Sequence, residues 1–178
     1  MKTIYSCLCL SATLFIAEAA SAQMPAMPAY SQPGPAPAAI LAAKTIFVSK
    51  AGSDSGLFPE PFSGDQDRAY TEFYSALKGS GDYTLVSDPA QADLVLELRL
   101  TAPYGPTNQN KQNGTSDPLP MFRLVIFDRK THYILWTVTQ SIEVAYLQKT
   151  HDRNFDDALS AILAQFLQVA GKPPAAAH

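Results

Sequence analysis

The sequence predicts a two-layer α+β domain: a mostly antiparallel five-stranded sheet with two helices on one face, in the order β-α-β-β-β-β-α. Three observations carry that expectation. In Tyr133 to Tyr146, Ile134, Trp136, Val138, Ile142, Val144 and Tyr146 alternate with Leu135, Thr137, Thr139, Ser141 and Glu143, and only Gln140 interrupts the apolar row. Successive strand side chains point to opposite faces, so this is a half-buried strand around which the sheet is expected to organise. Asp93 to Thr101 repeats the pattern, with Leu94, Leu96, Leu98 and Leu100 opposite Val95, Glu97, Arg99 and Thr101. Two other stretches have a helical period and one apolar stripe each, which is satisfied most simply by laying both on one sheet face.

The elements follow in order. Lys44 to Ser49 is a first strand, with Ile46 and Val48 on one face. Lys50 to Gly64, rich in Gly, Ser and Pro, is a loop whose Phe58 and Phe62 are expected to fold back onto the core. Ser63 and Gln66 have capping-box spacing, which predicts a helix start there. Tyr70, Phe73, Tyr74 and Leu77 then form a stripe that Gly79 and Gly81 terminate. Tyr83 to Ser87 is a short second strand, Asp93 to Thr101 the third and Met121 to Phe127 the fourth. Asp128 to His132 turns the chain into the Tyr133 strand. From Thr150 the period changes to that of a helix carrying Phe155, Leu159, Ile162, Leu163, Phe166 and Leu167, with Asn154 and Asp157 at its N-cap and N3 positions and Gly171 ending it.

The 178 residues allow one ordinary domain plus appendages, expected over residues 41–171. A net charge of −3 gives no electrostatic basis for nucleic-acid binding. Lys2, the apolar run Ile4 to Ala17 and the small residues Ala20-Ser21-Ala22 have the order of a secretory signal, so residues 1–22 are read as a signal with cleavage between Ala22 and Gln23. A periplasmic or secreted protein without a stable membrane span is therefore expected. Both cysteines, Cys7 and Cys9, fall inside that signal, leaving no thiol chemistry after cleavage. Lipid attachment at Cys7 is the alternative, with the bulky Tyr5 standing where such motifs favour small residues. Residues 23–40 are Pro/Ala-rich and read as a linker, and residues 172–178 as a loose tail.

Candidate chemistry is sparse. His132 lies by a turn, His151 precedes the predicted helix start beside Asp152 and Asp156, and His178 is terminal; no spacing among them defines a metal site. No Gly-x-Ser-x-Gly elbow is present, and Gly52-Ser53-Asp54-Ser55-Gly56 lacks the Lys-Ser/Thr ending of a phosphate-binding loop. No enzyme and no cofactor are expected. The polar stretch Ala102 to Pro120 contains Tyr104, Asn108, Asn110 and Asn113, and long loops inside compact domains are either functional or disordered. Those four residues, with Glu97, Arg99, Thr137 and Thr139 on the polar sheet face, are the candidate partner contacts.

Two segments carry a resemblance. Tyr83 to Leu96 has the cadence of a strand, a short acidic turn, Ala-Asp and an apolar strand; Phe122 to Trp136 has a strand, Asp, a basic-Thr turn and Ile-Leu-Trp. Both resemble the small α/β domains of bacterial envelope proteins: the TolB N-terminal domain, the Lpo-type activators of penicillin-binding proteins and CsgG-like periplasmic proteins. The likeness spans about residues 44–170 and rests on fold-level motifs. It implies a framework role for Asp128, Thr131 and Trp136. No propeller follows as in TolB, and the lipidation cysteine of the Lpo and CsgG proteins has no convincing counterpart. What the resemblance implies is a free, non-enzymatic periplasmic module that binds or assembles another envelope protein. A small-ligand or lipid carrier serving a transport system is the first alternative, and a hydrolase using His151 or His132 the second.

Overall fold

Chain direction separates the sheet into two halves. In the computed structural model, which describes residues 34–103 and 119–172, a short helix α1 (Ala38–Ala42) leads into β1 (Thr45–Ser53). There follow α2 (Arg68–Ser80), β2 (Thr84–Leu85), a 3-10 turn at Pro89–Gln91, β3 (Leu94–Thr101), β4 (Met121–Asp128), β5 (Ile134–Ser141) and α3 (Gln148–Val169). The spatial order is β2-β1-β3-β4-β5. β3, β4 and β5 form an antiparallel meander, whereas β1 runs parallel to both of its neighbours. The antiparallel expectation holds for β3 to β5, and the parallel pairs of β1 make the five-stranded sheet a mixed one. The crossover through α2 brings β2 back alongside β1 in the same direction, which a tight turn cannot do. A third helix also appears: α1 buries Ile40 completely.

The core lies between one sheet face and the two long helices. Leu94, Leu96, Leu98 and Leu100 are all buried, as their alternation predicts, and Ile46, Val48, Phe122, Leu124, Ile126 and Val138 extend that face. From α2 come Phe73 and Leu77, and Gly81 at φ 72° ends the helix in the left-handed conformation glycine tolerates. From α3 come Phe155, Leu159, Ile162 and Phe166. Phe155 is central: its ring centroid lies 5.0 Å from Phe122, 5.3 Å from Phe62 and 6.2 Å from Phe58. Both loop phenylalanines therefore fold back onto the core. Emptying a buried Phe site costs about 3–5 kcal/mol, a large fraction of a typical domain stability of roughly 5–15 kcal/mol.

Both predicted helix starts are displaced. α2 begins at Arg68 with Asp67 at its N-cap, and the Ser63 amide instead donates to Asp152 Oδ1 at 2.9 Å. α3 begins at Gln148, so Asn154 is inside the helix, where its Nδ2 donates to the Glu143 carbonyl at 2.9 Å. Tertiary hydrogen bonds have taken up the side chains and amides that a purely local reading assigns to capping.

One arginine joins these pieces. The Arg68 guanidinium donates to Glu72 Oε1 (2.8 Å), Asp152 Oδ1 (2.7 Å), Asp156 Oδ1 (2.6 Å) and the Ser63 carbonyl (3.1 Å), with its carbon 4.2 Å from the centre of the Phe155 ring. Its side chain is 13% exposed. Burial works against the Arg68 charge, and the bonds to Glu72 and Asp152 outweigh it, holding the guanidinium above its ordinary pKa. Burial likewise opposes the Asp152 charge; hydrogen bonds from the Ser63 amide and Arg68 outweigh it and hold that carboxyl down at about 2.

β5 departs furthest from its expected form. It is an edge strand of eight residues and not the centre of the sheet. A bulge at Leu135 places Trp136 opposite Ile126 and Ile134 opposite Phe127, so Leu135 and Trp136 pack on the core while Ile134 turns to the other face. The ladder ends at Ser141. Val144 and Tyr146, expected on the buried face, are exposed at 59% and 105%.

Two outcomes follow for stability. Replacing Asp152 by Asn is expected to cost about 1–3 kcal/mol, the range for a hydrogen bond to a charged partner left unmade. The folded pKa is depressed, so this stabilisation is full above the unfolded value near 3.9 and is lost as pH falls through about 2. Urea titrations of both proteins should converge across that window. Tyr83 is buried, its hydroxyl lacks a partner among the described residues, and burial pushes its pKa up to about 12. Tyr83→Phe is therefore expected to leave stability unchanged or raise it by up to about 1 kcal/mol in thermal unfolding.

Candidate interaction face

The helices cover one side of the sheet, and the cross-strand register defines what stands on the other. One row reads Phe47, Val95, Phe127, Ile134 across β1, β3, β4 and β5. The next is Ser49, Glu97, Val125, Thr137; a third is Arg99, Arg123, Thr139; a fourth is Thr101, Met121, Ser141. The face is therefore graded along the strands, from an apolar row at one end to two guanidinium groups and hydroxyls towards the other. Ile134 is 56% exposed and neighbouring Tyr133 74%. A solvated sheet face normally alternates to polar residues, so a full apolar row here is a feature to account for.

Glu97, Arg99, Thr137 and Thr139 are brought together by this register on two adjacent rows. Arg99 Nη2 donates to Asp54 Oδ1 at 3.0 Å, and Asp54 Oδ2 accepts the Ala102 amide at 3.1 Å. This pair helps to line a cleft of about 810 Å³ with Ser53, Leu57, Pro120 and the exposed Val144. Ser53 Oγ is buried there with no partner among the described residues. Tyr104, Asn108, Asn110 and Asn113 lie outside the described residues, as do Cys7, Ala22 and Gln23. Phe47, Val95, Val125 and Phe127 were missed by the sequence reading. Their signal was the unbroken apolar runs Ile46-Phe47-Val48, Leu94-Val95-Leu96 and Leu124-Val125-Ile126-Phe127, since a strand apolar on both faces loses its alternation.

Three other titratable groups, Asp128, Asp93 and His151, are built into turns and packing. The Asp128 carboxylate accepts the Lys130 amide at 2.8 Å, which lowers its pKa and closes the β4–β5 turn, with His132 at φ 59°. Asp93 accepts the Lys44 and Thr45 amides at 2.9 and 3.0 Å and is lowered by them, fixing the entry to β1. His151 is buried against the Phe62 ring, centroids 6.1 Å apart, and its Nδ1 accepts the Ala145 amide at 3.4 Å. It is a packed element of α3 and does not precede the helix.

No protein-family model matches the chain, and no curated protein matches it. Solved structures do. A DUF4136 family protein from Bacteroides thetaiotaomicron aligns with a TM-score of 0.50 at 13% identity, covering 76% of this chain and 93% of that one. A DUF330 protein from Xanthomonas campestris aligns at 0.47 and 14%, covering 77% and 87%. The C-terminal domain of LpoB from Salmonella enterica aligns at 0.36 and 13%, covering 57% and 83%. The expected likeness to TolB and CsgG-like proteins is not shown by these comparisons. At such identities the likeness is one of fold, and that fold is the helix-covered mixed sheet described above.

Proposed function

We propose that this protein is a non-enzymatic module of the bacterial envelope that holds or assembles another envelope protein through the helix-free side of its sheet. The observation that carries the reading is the cross-strand row Phe47–Val95–Phe127–Ile134, an apolar band on a face that no helix of the described residues covers, ending at an exposed residue. Apolar patches rimmed by polar groups mark interaction sites, and here Glu97, Arg99, Thr137 and Thr139 supply the rim. The signal-like N-terminus supports an exported location. Among the described residues no helix is long and apolar enough to cross a membrane. A carrier function is a second reading favoured by the 810 Å³ cleft; the helix–sheet interior itself is occupied by Phe62, Phe73, Phe122 and Phe155.

Ile134→Glu is expected to weaken recovery of the partner by at least about tenfold, as burying a carboxylate in an apolar contact demands, without changing the circular dichroism spectrum. The measurement is photo-crosslinking in intact cells from a benzophenone residue placed at position 127. Crosslinks that persist in Ile134→Glu would remove the face from consideration, and their complete absence in both proteins would remove the module reading. Mass spectrometry of the exported chain is expected to find Gln23 at its N-terminus; an intact Met1 form confined to the cytosol overturns the compartment.

A further inference from the structure

The edge of β5 has a defined hydrogen-bonding phase. In an antiparallel pair, residues alternate between directing both backbone groups to the neighbour and directing both away. The Ile142 amide donates to the Pro120 carbonyl at 2.8 Å, and the register pairs Met121 with Ser141 and Phe122 with Gln140. Gln140 and Val138 are thereby committed to β4, and Thr137, Thr139 and Ser141 present their N–H and C=O groups outward. No strand of the described sheet pairs with them.

Exposed edges are normally guarded by Lys, Pro or inward-pointing charge. From Ile134 to Ser141 β5 has neither a charged residue nor a proline. Its bulge lies at Leu135, near one end, so the Thr137–Ser141 segment stays regular. Beside this segment runs a groove of about 270 Å³ between β5 and one flank of α3, bounded by Gln140, Ser141, Glu143, Asn154, Asp157 and Ala161. No β4 residue lines it, which places it on the outer side of β5. Glu143 and Asp157 form no ion pair among the described residues.

We infer that the Thr137–Ser141 edge binds an extended segment of a partner protein by strand addition, with a basic side chain of that segment entering the groove toward Glu143 and Asp157. The inference rests on the module reading above and names the chemistry of its partner. Strand addition draws affinity from backbone hydrogen bonds and specificity from pockets for alternate side chains. The two carboxylates disfavour a second copy of this chain as occupant, because a symmetric edge-to-edge pair would bring like charges from the two copies towards each other.

The test uses the folded full-length chain and short labelled peptides alternating threonine and valine around one central lysine or one central glutamate. Fluorescence anisotropy is expected to favour the lysine peptide by at least about tenfold at low salt, consistent with close charge complementarity. Hydrogen exchange should slow at the amides of Thr137, Thr139 and Ser141. Thr139→Pro removes one outward donor while sparing every β4–β5 bond, a position where edge strands tolerate proline; it should abolish binding and keep the unfolding midpoint. Glu143→Lys with Asp157→Lys should reverse the peptide preference. Equal affinity for both peptides, no change in exchange at the three amides, or protection of those amides before peptide is added would each overturn the proposal. Crosslinking from position 127 that survives in Thr139→Pro would sink strand addition and leave the module reading standing.

Discussion

Arg68 is the constraint on which the rest of the domain depends. It is the first residue of α2, yet its partners lie in α2 itself, in the preceding loop and in α3, and its guanidinium rests on the Phe155 ring at the centre of the aromatic cluster. Three carboxylates around one cation leave the group over-compensated, and a 13% exposed side chain is weakly screened. The two long helices cannot shift relative to one another or to the preceding loop without breaking these bonds, of which the one to Asp152 is the least exposed. The long loop between β1 and α2 is held by the same network, through the Ser63 amide and the Gln148 side chain on the Pro61 carbonyl. That network thereby helps to fix the loop phenylalanines over Phe155, alongside the Phe62 amide bond to the Leu57 carbonyl.

The sheet was legible where burial and chain period coincide. Leu94 to Leu100 alternate because β3 has one face on the core, and the α3 stripe from Phe155 to Phe166 repeats with the helix for the same reason. Strand direction left no mark on that pattern, so the parallel pairing of β1 was not visible in it. The Tyr133 to Tyr146 alternation was misleading in two ways. Inserting Leu135 as a bulge shifts the phase by one residue, and the row continues past Ser141 in a segment that has left the sheet. Ser63 and Asn154 have the side chains of helix caps, and long-range partners claimed them instead.

The candidate face was only half legible. The polar rim, Glu97, Arg99, Thr137 and Thr139, follows from alternation alone, whereas the apolar band needs the register of four strands from distant parts of the chain. Phe47 and Ile134 lie on opposite flanks of the sheet, and nothing local to either predicts that they fall in one row. The outward phase of Thr137 and Thr139 is likewise a property of the β4–β5 pairing, not of the threonines.

The position of α3 in the chain has a consequence for how the molecule comes to exist. It is the last described element and supplies Phe155, Ile162 and Phe166, so the part of the sheet's inner face that α2 does not cover stays open until residues near position 166 have been made. Contacts between ends so distant in sequence form late because loop closure must be paid for first. A nascent chain of this design leaves apolar sheet surface in contact with water until its last described helix has emerged and docked.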